Sequence, residues 1–316
     1  MSHIFCIANP NSGKNTKHPH ILARIQGQLQ NSVHTSTFCS PHNLHELDKA
    51  MEQCIQEKTD ILCINGGDGT IHKTLTALYK IYGEHTPYPK IAILKGGTMN
   101  NIARNMGISL WTSAYDMLDI VTKQQTYRCT TKHPLIIDNT HMGFIFGNAG
   151  LSAFLEEYYK DNKASAYRAG YLLCKAVLSA IFHTAYAHNI FQPVDMDITL
   201  KTKQGDAKQI KEAITLLGVS SIADLGLYFR PFYATLSDSR CAHLIAMTCS
   251  PLYIALSLPH ILLAKPTNKT YILDQPSTEI QFSYTHPQSY TIDGDMYIST
   301  CTQNIRVGPA LEFVIG

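Results

Sequence analysis

The sequence predicts an α/β domain built on a parallel sheet, followed by a mainly antiparallel β domain. Three observations carry this reading. The first third of the chain alternates short β-rich runs with segments of helical period. From about residue 126 the texture changes to closely spaced β-rich runs. Three of the first four β-rich runs end in small, Gly-containing loops that lead into helices.

The opening run "IFCIA" (4–8) is short and apolar, and "VHTSTF" (33–38), "ILCIN" (61–65) and "IAIL" (91–94) repeat that character. Between them lie "HILARIQGQL" (20–29), "NLHELDKAMEQCIQE" (43–57) and "TIHKTLTALYKIY" (70–82). In the second, Leu44, Leu47, Met51 and Cys54 recur at helical spacing; in the third, Ile71, Leu75, Leu78 and Tyr82 do. Strict alternation of strand and helix implies a parallel sheet covered on both faces. Beyond 126 come "PLIIDNTHMGFIFGNAG", "VDMDITLKTK", "EAITLLGVSS", "HLIAMTC", "TYILD", "EIQFSYT" and "RVGPALEFVIG", interrupted by helical character only over 153–186 and 250–265. Such closely punctuated runs predict antiparallel sheets.

Composition narrows the functional classes. The 316 residues contain 45% hydrophobic and 16% charged residues, with 26 Lys+Arg against 24 Asp+Glu. This is a folded chain with little surface charge, not a disordered one. The near-neutral balance argues against nucleic acid as a partner, since a binder of phosphate backbones concentrates basic charge. Nine cysteines without a CxxC pair, behind an N-terminus lacking a secretory pattern, predict reduced, mostly buried thiols in a cytoplasmic protein. The stretch 166–186 has the length of a membrane span but carries Arg168, Lys175 and His183, so it is read as a helix packed in protein. The aromatic residues of this region, Tyr158, Tyr159, Tyr167, Tyr171, Phe182 and Tyr186, are read as core packing before an acyl groove or bilayer contact.

In an open parallel sheet, ligands bind beyond the carboxyl ends of the strands. The loops there are "NPNSGK" (Asn9, Asn11, Ser12, Gly13, Lys14), "NGGDGT" (Gly66, Gly67, Asp68, Gly69, Thr70) and "KGGTMNN" (Gly97, Thr98, Asn100). Each taken alone is ordinary turn chemistry; three on one edge offer amides and helix N-termini to a polyphosphate. "GDGTIHKT" is not a P-loop, because His72 stands where a second Gly is required, and no GxGxxG is formed. Asp68 would repel phosphate unless a cation lies between them, so Mg²⁺ bound directly or through water is the economical reading, with an N-cap of the 70–82 helix as the structural alternative. Lys14 offers a point charge to phosphate or is an ordinary exposed loop lysine. Near the other end, "YTIDGDMY" places Asp293 and Asp295 about a Gly; the pattern is that of a hairpin turn, and it also suits a carboxylate that accepts a hydroxyl proton. The His pairs in "HPH" (18–20) and "HNLH" (42–45) lack further ligands and are read as solvated or capping residues.

Taken in order, "NPNSGK", "GGDGTIHKTL", "GGTMNNIARNMGI", "FGNAGLSA" and "IDGD" resemble the bacterial diacylglycerol kinase and sphingosine kinase-like lipid kinases, whose catalytic domain is distantly related to NAD kinases. The resemblance implies a Rossmann-like α/β ATP-binding domain over 1–125, a β-sandwich lipid-binding domain over 126–301, a C-terminal segment 302–316 that packs back onto the first, and an active site in the cleft between them. It implies ATP on the three loops, Asp68 organising Mg²⁺ and the γ-phosphate, and Asp295 as catalytic base. It further implies a lipid alcohol as acceptor and transient contact with the inner face of a membrane, and it leaves the oligomeric state open between monomer and homodimer.

Three departures from the family pattern stand out. Asp295 occupies a position that is usually Glu, and one methylene less draws the carboxylate back by about 1 Å, which costs about 10²-fold where geometry is tight. His72, Lys73 and Asn101 replace residues that are often Asn, Glu and Asp. In "LSDSRCAHL" (236–244), Asp238 remains but the Gly of a cation-binding turn is absent, which argues against a structural metal. The alternatives are an NAD kinase-like enzyme, which the "DGD" and "NAGLSA" segments weigh against, and a catalytically weak member that binds nucleotide or lipid.

Overall fold

The computed structural model describes residues 2–84, 87–123, 126–160, 165–226, 229–238, 240–266 and 272–316. The chain divides into two compact units. One comprises Met1–Pro134, Thr140–Met142 and Gly308–Gly316; the other comprises Leu135–Asn139 and Gly143–Val307.

In the first unit, β1 (His3–Ala8), β2 (Thr35–Cys39), β3 (Ile61–Gly66) and β4 (Lys90–Lys95) lie in the order β2-β1-β3-β4, all parallel. Every residue of β3 is buried, as expected of a central strand covered on both faces. The C-terminal strand Leu311–Val314 adds parallel to β4 and in turn pairs antiparallel with β5 (Cys129–Lys132), Phe313 facing Thr130. This pairing carries the first unit past residue 125 to Pro134, while the returning segment begins at Gly308.

The connecting helices are α1 (Gly13–Lys17), α2 (His20–Gln30), α3 (Leu44–Gln56), α4 (Asp68–Tyr82), α5 (Asn101–Asn105) and α6 (Ala114–Lys123). α3 starts on a capping box: Asn43 Oδ1 accepts the Glu46 N–H at 2.9 Å, and Glu46 reaches back to the His42 N–H at 2.8 Å. The "HNLH" segment therefore caps a helix. α3 buries Leu47, Met51 and Cys54, whereas Leu44 at its first turn stays exposed. α4 starts two residues earlier than its periodicity indicates, at Asp68, and buries Ile71, Leu75 and Leu78.

The second unit contains β6 (Leu135–Ile137), β7 (His141–Gly143, at the change of unit), β8 (Ile145–Ala149), α7 (Gly150–Tyr159), α8 (Ala166–Ile181), α9 (Ala185–Ile190), β9 (Val194–Lys201), β10 (Ala207–Ile214), β11 (Leu216–Ser220), α10 (Ala234–Ser237), β12 (Ala242–Met247), α11 (Pro251–Leu262), β13 (Ile272–Ser277), β14 (Glu279–Tyr284), β15 (Ser289–Ile292), β16 (Asp295–Ile298) and β17 (Thr302–Val307). One antiparallel sheet contains β10-β9-β14-β17-β6 and the other runs β13-β12-β11-β8-β15-β16. Leu135, Met196, Ile198, Ile280, Phe282 and Ile305 of the first share one buried core with Phe146, Leu217, Val219, Leu244 and Ile292 of the second. The unit is thus a β-sandwich. "EAITLLGVSS" is not one strand: it ends β10, breaks at Thr215 and begins β11 in the opposite sheet. Thr215 makes the corner by donating from its N–H to Met247 O at 2.8 Å and from its hydroxyl to Met247 O and Cys249 O.

Among the described residues no helix is long and apolar enough to cross a membrane. All nine cysteines are free thiols; Cys6, Cys54, Cys63, Cys241 and Cys249 are buried, and Cys129, Cys174 and Cys301 are exposed. Of the aromatic residues expected to pack in the core along 158–186, Tyr158 does so, whereas Tyr159, Tyr167, Tyr171 and Phe182 are exposed. α8 carries apolar residues on two stripes: Leu172, Ala176 and Ala180 face the core, and Tyr171, Leu178 and Ile181 lie outside, with Lys175 among them.

Candidate functional site

The three loops of the first unit are laced together by their own backbones and amide side chains. Asn65, fully buried at the end of β3, donates from Nδ2 to Leu94 O at 2.9 Å, and its Oδ1 accepts from Asn15 Nδ2 at 2.7 Å. Asn15 also donates to Asn9 O at 2.7 Å. Asn9 Oδ1 accepts the Asn11 N–H at 2.9 Å in an Asx turn, and its Nδ2 donates to Thr70 Oγ1 at 2.8 Å, joining the first loop to the second. Ser12 Oγ and the Lys14 N–H both donate to Gly96 O, at 3.2 and 3.0 Å, joining the first loop to the third.

The glycines permit this approach. A Cβ on Gly97 would lie 2.3 Å from Gly67 Cα, and one on Gly66 would lie 2.4 Å from the Thr70 side chain. Asn100 takes the left-handed conformation at φ 49°, which Asn tolerates better than most residues, and its side chain exchanges hydrogen bonds with Gly97. The loops therefore present closely spaced peptide groups beside the start of α4, where the Asp68 and Gly69 N–H groups lack intrahelical acceptors. Such an arrangement suits an anion.

Asp68 belongs to this cluster in an unforeseen way. It does not cap its own helix. Its Oδ2 accepts the Asn101 N–H at 3.0 Å and its Oδ1 the Ile102 N–H at 2.9 Å, so it caps α5, the helix after the third loop. Burial pushes its carboxyl pKa up; the two N–H bonds and the positive charge of Arg104 oppose that shift in part. Among the described residues no group of three or more His, Cys, Asp or Glu side chains could hold a metal ion on its own. A Mg²⁺ ion held by one carboxylate, phosphate oxygens and water needs no such group. Asp68 fits this weaker demand, because a carboxylate has about four lone-pair positions and the α5 amides take two.

Sequence reasoning passed over Lys95. Its aliphatic stem is buried and its Nζ donates to Ser109 O at 2.7 Å and Leu110 O at 3.1 Å, so it is a strut for the segment after α5. Burial, with repulsion from Lys14, lowers its pKa. Lys14 is exposed at the rim of the loops. His72, at the unusual position after "GGDGT", is buried; its Nδ1 lies 2.9 Å from Met142 O and its ring stacks on His141 with centroids 6.2 Å apart.

In the second unit, "DGD" is a two-residue hairpin between β15 and β16, with Ile292 paired to Asp295 and positive φ at Asp293 (50°) and Gly294 (95°). The two acids differ. Asp293 accepts the Ile145 N–H at 2.8 Å and the Phe144 N–H at 3.0 Å, fastening the turn to the start of β8. Asp295 opens β16 and is partly exposed. Tyr159, another residue the motifs did not reveal, lies beside the turn: a Cβ on Gly294 would be 3.3 Å from its hydroxyl. In "NAGLSA", Asn148 is buried with Nδ2 on the Tyr284 hydroxyl at 3.1 Å, and Ser152 Oγ donates to Ala149 O at 2.9 Å. Asp238 pairs with Lys203 and accepts the Arg240 N–H at 2.9 Å. Lysine occupies the acid left by the altered cation-binding pattern.

Residues 3–132 match the family model of the diacylglycerol kinase catalytic domain. A candidate diacylglycerol kinase from Bacillus anthracis str. Sterne has a solved structure similar to the whole chain, with a TM-score of 0.72 at 16% identity, covering 100% of this chain and 97% of that one. A second solved structure, described as a diacylglycerol kinase from the same organism, gives 0.67 at 13% identity over the same shares. No curated protein matches the chain. Residues 3–132 are thus similar to the diacylglycerol kinase catalytic domain, and the full chain shares the fold of those two structures.

Proposed function

We propose that the protein is a Mg²⁺-dependent lipid kinase that transfers the γ-phosphoryl group of ATP to the hydroxyl of a lipid such as diacylglycerol, acting in the cytoplasm with transient contact at the inner membrane face. The lacing of Asn9, Thr70, Gly96 and Asp68 into one cradle, within the segment that matches a kinase catalytic domain, carries this reading. The Asp68 and Gly69 N–H groups at the start of α4 receive the phosphates within the loops of Asn9 to Lys14, Gly66 to Thr70 and Gly97 to Asn100, and Lys14 adds a point charge. Asp68 would hold the Mg²⁺, directly or through water, while keeping α5 in place. Bound Mg²⁺ supplies neutralisation of charge on the phosphoryl oxygens.

Transfer forms one bond, from the lipid oxygen to the γ-phosphorus, and breaks that phosphorus's bond to the β–γ bridging oxygen, releasing ADP. The hydroxyl proton goes to Asp295; Asp293, engaged by two backbone N–H groups, is the scaffold of the turn. The test is radiolabelled ATP with diacylglycerol, monoacylglycerol, ceramide, sphingoid bases, phosphatidylglycerol and NAD. Label in a lipid supports the proposal; label in NAD alone, or in none, refutes it.

A further inference from the structure

The outer stripe of α8 consists of Tyr167, Tyr171, Cys174, Lys175, Leu178, Ile181 and Phe182, spaced as one helical face. Tyr167 is 84% exposed, Leu178 54% and Phe182 72%. On α11, Leu256 is 61% exposed, with Tyr253, Leu262 and Leu263 exposed beside it. The two helices pack together, and a groove of about 400 Å³ lined by Cys174, Val177 and Leu178 of α8 and Leu258 and Leu262 of α11 runs between them. The exposed side chains thus form one continuous apolar patch, larger than scattered surface hydrophobics would produce.

Charge on this patch has one sign. Residues 165–194 and 239–273 contain no Asp or Glu, while Arg168, Lys175 and Lys265 lie within them. Lys175 extends over the Tyr186 ring at 3.9 Å, and Lys265 is exposed just past α11. The nearest acid on α7, Glu157, is paired with Lys160 at 3.4 Å. Tyrosines on the rim suit a boundary between apolar and polar media. Neither helix can span a bilayer, which leaves a shallow in-plane contact.

We infer that the α8–α11 face docks on an anionic bilayer, its apolar side chains entering the acyl boundary and its lysines meeting lipid phosphates. This deepens the lipid-kinase reading by naming the surface that reaches the membrane. The test is co-sedimentation of the full chain with vesicles of equal phosphatidylglycerol and phosphatidylcholine, against phosphatidylcholine alone. The wild type is expected to bind the anionic vesicles at least tenfold more tightly, with salt weakening the binding. The double variant L178E/L256E should lose at least tenfold while keeping its melting temperature and its turnover of a short-chain diacylglycerol in free solution. Should that variant melt early, K175Q/K265Q is the second reading, expected to lose the preference for anionic vesicles. Equal binding by wild type and either folded variant overturns the inference, as does equal binding to neutral vesicles. So does a wild-type dimer that L178E/L256E dissolves in the absence of vesicle binding. Vesicle binding is read without turnover, so failure of the kinase reading leaves this measurement standing.

Discussion

Asp68, the first residue of α4, accepts the backbone N–H of Ile102 in α5 at 2.9 Å. The acid of the second loop therefore sets where the third loop ends. Removing it should disturb more than charge: Asp68→Ala leaves two amides at the start of α5 without their acceptors and should cost about 1–2 kcal/mol. Urea denaturation measures that loss, and phosphoryl transfer should disappear with it.

The same carboxyl makes stability depend on pH in a defined direction. Burial raises its folded pKa. Stability from such a group is fully present below the unfolded value, about 4, and is lost as pH rises through the folded value. The stability of the wild type relative to Asp68→Asn should therefore fall as pH rises from about 4 and then level off. Denaturation curves at a series of pH values check this; a difference that grows with pH would contradict it.

Two glycines should respond oppositely to alanine. At Gly97 the new Cβ meets the Gly67 backbone at 2.3 Å, so a loop must move; ATP binding should weaken at least tenfold, with about 1–3 kcal/mol lost. At Gly27, inside α2, a Cβ meets nothing within 4 Å, and alanine should stabilise by about 0.5–1 kcal/mol. Calorimetry on both variants, with ATP titration, separates close approach from turn flexibility.

Asp293→Ala should destabilise the second unit by about 2 kcal/mol, since it orphans the Phe144 and Ile145 amides and places Ala at φ 50°. Asp293→Asn, which keeps an acceptor and tolerates that φ, should recover much of the loss. Thermal melting of the pair checks the scaffold role.

Asp274 joins two further side chains: His243 Nε2 lies 2.6 Å from its Oδ1, and the Tyr233 hydroxyl donates to it at 3.0 Å. His243 is fully buried, and burial together with Asp274 pushes the Tyr233 hydroxyl up to about 12. Asp274→Ala strands both groups and should cost about 2–4 kcal/mol. The tyrosine absorbance titration should also shift one residue to lower pH.

Much of this architecture is legible in local pattern. Strand and helix alternation through Tyr82 announces the parallel sheet, and loop chemistry places Gly66–Thr70 and Gly97–Asn100 at its carboxyl edge. What pattern misses acts across sequence distance. Asp68 bonds residues more than thirty positions away, and Asp293 bonds amides nearly one hundred and fifty positions away. Thr215 turns one apparent strand into two because its hydrogen bonds lie on β12 and beyond. The α8 face eluded periodicity because apolar residues occupy both its core-facing and its outer stripe, so the pattern does not mark which one is covered.

Phosphoryl transfer by the wild type and by Asp295→Asn, measured with radiolabelled ATP on the preferred lipid acceptor, tests the central claim most directly. The expected result is turnover by the wild type and a fall of at least about 10²-fold in kcat for Asp295→Asn, with ATP affinity and melting temperature unchanged. Wild-type kcat retained by Asp295→Asn, or no transfer to any lipid by the wild type, would contradict it.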